Sequence, residues 1–124
     1  MKDIHFLDCE ITNFMLFGNI PQKVILNKHN GITHINGINL DNGGGNAIGK
    51  TTILSAIFFA LYDRSLDKVK KEHLVNRING ATKNCKMSVT LRLLINGIPC
   101  TITRSIFKKG TNVEIIYDGK DVTL

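Results

Sequence analysis

The chain has 124 residues and a formal net charge of +6, with 43% hydrophobic and 21% charged residues. Those proportions suit one small globular domain and exclude a disordered or fibrous protein. The longest apolar run, Ile53 to Tyr62 with Ser55 inside it, is about half of the roughly 20 residues that a membrane helix needs, so no membrane partner is expected.

The acids Asp3, Asp8 and Glu10 stand where the apolar region of a signal peptide would lie. Cys9, Cys85 and Cys100 are odd in number and widely spaced, which gives neither a disulfide framework nor a zinc pattern. His5, His29, His34 and His73 lack metal-ligand spacing. These features lead us to expect a cytoplasmic protein. Charge is unevenly placed. Residues 1–63 hold four basic and five acidic groups, whereas residues 64–124 hold twelve basic and five acidic groups. A basic second half suits a polyanion such as nucleic acid, and equally suits a lysine-rich solvated surface.

Residues 3–14 mix apolar and polar positions as a strand does, and Gly18 to Pro21 turns the chain. Lys23 to Leu26 reads as a short strand, Asn30-Gly31 as a hairpin turn, and Gly31 to Ile35 as the returning strand. A Gly- and Asn-rich loop from Asn36 to Gly49 leads into a helix from about Lys50 to Tyr62. That helix is apolar nearly all round, so it needs cover on more than one side. A weaker helix is expected over Asp67 to Asn76. A meander follows: Met87, Val89, Leu91 and Leu93 alternate with polar residues, as do Cys100, Ile102 and Ile106. Turns fall at Asn96-Gly97, Lys109-Gly110 and Asp118-Gly119, with Val113 to Tyr117 as the third strand.

The strongest motif is Gly44-Gly45-Asn46-Ala47-Ile48-Gly49-Lys50-Thr51, which fits Gly-x-x-x-x-Gly-Lys-Ser/Thr in full. Glycines allow successive backbone N–H groups to turn inward onto phosphates, and the helix N-terminus adds a favourable dipole. ATP is the expected ligand of residues 44–51 and Thr52, with Lys50 on the phosphates and the Thr51 hydroxyl on Mg²⁺. Hydrolysis also needs an acid at the end of an apolar strand. Ile115-Ile116-Tyr117-Asp118 offers one, but Asp118-Gly119 reads better as a hairpin turn.

The order of parts resembles the first half of an ABC-type ATPase head, an α/β fold with a phosphate-loop strand and helix beside antiparallel strands. Asn13-Phe14, the run Thr52 to Tyr62 and Cys100-Thr101-Ile102-Thr103-Arg104 resemble the corresponding motifs of SMC-like ATPases. Within that class the chain is similar to the N-terminal segment of SbcC-type ATPases of DNA double-strand-break repair. The lead-in Gly37 to Gly44 resembles that of the phage members, large subunits of recombination endonucleases. Ala47, Ser55 and Met15-Leu16 stand where the family prefers Gly, Glu and a basic residue followed by Ser.

The resemblance implies an ATP-dependent dimer of heads, a DNA substrate and a metallophosphoesterase-type nuclease subunit as partner. It also implies a complementary C-terminal half carrying the second metal-binding acid and the signature loop, which this sequence does not contain. The chain alone is then expected not to turn over ATP. Lys68, Lys70, Lys71, Arg77 and Lys83 are candidate DNA contacts, with Lys86 in the same basic stretch. Arg104 shares the parity of its apolar neighbours; it reads as a structural or nucleotide-proximal group, or as a strand-end Arg reaching water. The rival readings are a transporter-type ATPase that stacks adenine on Phe14 or Phe17, a small phosphate-loop kinase, and a nucleic-acid-binding β module with an incidental glycine loop.

Overall fold

The computed structural model describes residues 2–28, 31–36, 38, 50–66, 69–79, 85–107 and 110–123. Its frame is a six-stranded sheet of β1 (Ile4–Thr12), β2 (Gln22–Ile25), β3 (Lys86–Ile95), β4 (Ile98–Phe107), β5 (Gly110–Tyr117) and β6 (Lys120–Asp121), in the order β2-β1-β3-β4-β5-β6. Every pair is antiparallel. One α-helix, α1 (Lys50–Tyr62), lies on one face.

Period-two alternation explains the meander. The register sets Cys9 beside Leu91 and Ile11 beside Val89. It also sets Leu91 beside Ile102 and Leu93 beside Cys100. These residues share the core face, where all but the half-buried Ile102 are buried. The opposite face is polar. The Thr90 and Thr103 hydroxyls share a hydrogen bond of 3.2 Å, and Arg92 pairs with Asp8 at 2.7 Å. Asn96-Gly97 and Asp118-Gly119 both have two positive φ angles, 52° and 80° and then 53° and 74°. That is the left-handed pair a two-residue hairpin needs, and Asn, Asp and Gly supply it at least strain.

Helix α1 buries Thr52, Ser55, Ala56, Phe59 and Ala60, a single stripe at helical spacing. Phe59 packs against Phe14 with ring centroids 5.8 Å apart, and both rings are fully enclosed. Burying each such side chain contributes roughly 1.5–3 kcal/mol. The sheet therefore covers one side of the helix. On the other flank Leu54 is 55% and Tyr62 58% exposed.

Two expected elements are replaced. Gly31 to Ile35 joins no sheet, and Ile32 there is 99% exposed. An apolar run becomes a strand only where another strand offers it a ladder, and among the described residues none pairs with it. The helix expected over Asp67 to Asn76 is instead a 3-10 helix at Lys71–His73 within an irregular path. The Leu74 carbonyl and the Asn76 N–H bond to the turn after β1, which competes with helical bonding. The expected α/β class is thus seen, among the described residues, as one α-helix on an antiparallel sheet.

Candidate functional site

The glycine loop, Gly44 to Gly49, lies outside the described residues, as do Lys68 and Lys83. Its end point is described. Lys50 and Thr51 open α1 and are exposed, whereas Thr52 is buried, with its side chain against the sheet. No acid stands in the first turn of α1. The helix N-terminus therefore keeps its partial positive charge, and Lys50 adds a full one. An anion held there meets a Lys ammonium and a Thr hydroxyl.

The other end of α1 is braced by the fold. Arg104 reaches over from β4, and its Nε donates to the Ala60 carbonyl at 2.7 Å. The Asp63 N–H donates to the Phe59 carbonyl at 2.9 Å, with Asp63 in the left-handed region at φ 59°. Its carboxylate pairs with Lys71 at 2.7 Å. The Ser65 hydroxyl accepts from the Val69 N–H at 2.7 Å, and the Arg64 guanidinium lies over the Phe58 ring at 5.8 Å. Ala60 is ten residues from Lys50, roughly 15 Å along the helix at about 1.5 Å per residue. Arg104 is therefore a brace for the helix C-terminus, away from the phosphate end.

A third cluster was not legible beforehand. In the turn after β1, Asn13 and Met15 have φ of 52° and 50°. The Met15 N–H donates to the Leu74 carbonyl at 2.6 Å, and the Asn76 N–H to the Asn13 carbonyl at 2.8 Å. Asn76 Nδ2 donates to the Met15 and Phe17 carbonyls at 3.0 and 3.1 Å, while its Oδ1 accepts from the Ile78 and Asn79 N–H groups. Asn13 Nδ2 donates to the Lys86 carbonyl at 3.1 Å, and its Oδ1 accepts from Asn79 at 2.9 Å. Asn13 and Asn76 are both buried, so these bonds form away from water. The sequence signal was weak: isolated asparagines at the ends of apolar runs.

The remaining candidates separate cleanly. Lys70 and Arg77 are exposed, whereas Lys71 is paired with Asp63. Asp118 sits in its hairpin turn, exposed, and so is no strand-end acid facing a phosphate. Phe14 is buried and cannot stack on a base; Phe17 is half-buried. Burial pushes the Cys9 thiol up to about 12 and raises that of Cys100, so neither is a nucleophile at neutral pH. Among the described residues no cluster of three His, Cys, Asp or Glu side chains forms a metal site. None of their helices is long and apolar enough to cross a membrane.

No family model matches the sequence, and no curated protein matches it. Solved structures do match. The recombination mediator protein RecF with ATP, of the RecFOR pathway, superposes with a TM-score of 0.64 at 20% identity, over 98% of this chain. An SMC ATPase, from a study of ATP-driven dimerization and DNA-stimulated activation, superposes with a TM-score of 0.66 at 20% identity, over 96% of this chain. The fold is that of an SMC-like ATPase head. The chain spans 28% of the RecF chain and 72% of the SMC chain, so it corresponds to part of such a head.

Proposed function

We propose that this chain is the ATP-binding segment of a DNA recombination or repair ATPase of the SbcC type, and that it acts with a nuclease partner on DNA ends. The observation that carries the reading is the complete Gly44–Thr51 motif ending in the first turn of α1, on a head fold. The backbone of residues 44–51 would wrap the phosphates, and Lys50 would neutralise the terminal ones as a point charge. Mg²⁺ fits beside the exposed Thr51 hydroxyl, which would share it with phosphate oxygens. Bound there, the ion would supply charge neutralisation.

Phosphoryl transfer to water also needs an acid against the metal and a group that orients the water. Asp118 is occupied as a turn residue, so we assign those groups to a complementary half of the head and to a second head. Two apolar surfaces support that assignment. The outer flank of α1, with Leu54 and Tyr62, and the unpaired run with Ile32 are among the exposed apolar surfaces of the fold. Parallel strands beside 31–35 and a helix or sheet over α1 would bury both. The transporter-type alternative loses one support, because the buried Phe14 is unavailable for adenine stacking.

Calorimetry with Mg-ATP on the chain and on Lys50→Ala tests the site. Binding weakened roughly 30- to 150-fold in the variant is expected, and equal affinity in both overturns the reading. A phosphate-release assay on the isolated chain should show no turnover. Steady turnover that depends on Lys50 would mean that Asp118 or the head assignment has been misread.

A further inference from the structure

We propose that Asn13 and Asn76 are positioning residues that gather Arg77 and Lys86 into one fixed surface for nucleic-acid phosphates. The proposal rests on the DNA-binding part of the function above and names the site for it. Arg77 adjoins Asn76, whose backbone N–H is bonded to the Asn13 carbonyl, and the Lys86 carbonyl is bonded to the Asn13 side chain. Two cations nine positions apart in sequence are thereby each tied to Asn13. Both side chains are exposed, and neither has an ion pair among the described residues. Among the described acids of the same segment, Asp63 is engaged by Lys71, and Glu72 lies 3.6 Å from His73. Lys71 is thus a brace for α1, and the exposed cations without an ion pair among the described residues include Lys70, Arg77 and Lys86.

The anchoring is stronger than an ordinary surface loop needs. Asn76 uses both amide hydrogens and its carbonyl oxygen on backbone groups, and it does so buried. Asn13 holds a left-handed backbone for the same contacts. A basic segment whose backbone is held this way loses little backbone entropy on meeting a rigid polyanion. The expected occupant is a duplex backbone, read by charge and spacing and not by base sequence.

The test is fluorescence anisotropy of a labelled mixed-sequence duplex over a range of salt concentrations, with the full chain and without nucleotide. Arg77→Ala and Lys86→Ala should each weaken binding and each flatten the log–log salt slope by about 1. Lys71→Ala should leave the slope unchanged. Asn76→Ala should flatten it as the loss of Arg77 does, although no charge is removed. Asn13→Gly, which keeps the left-handed backbone without strain, should do the same and guards against a failure of Asn76→Ala to fold. A merely structural role for the asparagines would lower the melting temperature and leave the slope alone, and that result overturns the proposal. So does a wild-type chain that ignores the duplex at low salt, or an unchanged slope in Arg77→Ala and Lys86→Ala. Because nucleotide is absent, a failed Lys50 experiment leaves these outcomes readable on their own.

Discussion

The two ends of α1 meet the same electrostatic problem and solve it differently. The helix carries no acid in its first turn and no base in its last. At the C-terminal end the fold supplies the missing cation, since Arg104 comes across from β4 to the Ala60 carbonyl. Lys71 then holds the Asp63 that follows. At the N-terminal end the described residues place a cation, Lys50, where a compensating anion would otherwise stand. Among the described residues, one end is completed by the protein, and the other carries a cation and no acid, which suits the anion we propose for it.

If the contrast is right, variants at the two ends should separate affinity from stability. The largest effect is expected from Lys50→Ala. Losing one charge-assisted contact should cost about 2–3 kcal/mol of ATP binding, roughly a 30- to 150-fold loss, with the melting temperature unmoved because the side chain is exposed. Calorimetry paired with a thermal melt checks both halves. A fall in melting temperature would erase the distinction. Next comes Arg104→Met, which keeps the length of the side chain and removes its donor. A loss of about 1.5–2 kcal/mol in unfolding free energy is expected by denaturant titration. The Cys9 thiol, buried in the core and pushed up to about 12, should be alkylated near neutral pH only when the core opens. Its labelling rate should therefore rise in Arg104→Met and stay at the wild-type value in Lys50→Ala. Smallest is Asp63→Asn. Asn tolerates the left-handed backbone, so only the ion pair to Lys71 is lost. At this partly exposed site that is about 0–1 kcal/mol, and it should fade in high salt.

The meander was readable from sequence because its information is local. Alternating side chains choose a face, and Asn96-Gly97 and Asp118-Gly119 choose the turns. The limits of α1 were readable for the same reason. The parity of Arg104 correctly gave an inward direction, but its acceptor, 44 residues away, could not be seen. Gly31 to Ile35 failed because apolar composition says that a segment wants a neighbour without saying whether one is at hand. Asp67 to Asn76 failed because its path is set by Met15 and Asn13, some 60 residues upstream. For the site, the motif pointed to Lys50 and Thr51, and both stand exposed in the first turn of α1. The Asn13–Asn76 cluster stayed hidden because no short spacing announces it.

The pairing of β1 with β3 has a consequence for how the chain reaches this state. Thr90 and Thr103, in the β3–β4 hairpin, are 13 residues apart, whereas Asp8 and Arg92 are 84 apart. Local hairpins close fast, and distant pairings wait on chain entropy. The meander should therefore form first, as a template, and β1 should dock on it late. Pulse-labelled amide exchange should show β3 to β5 protected before β1. On a ribosome the delay is longer still. β1 must wait until β3 and β4 have been made, and α1 and the basic segment stay unclosed between them until it docks.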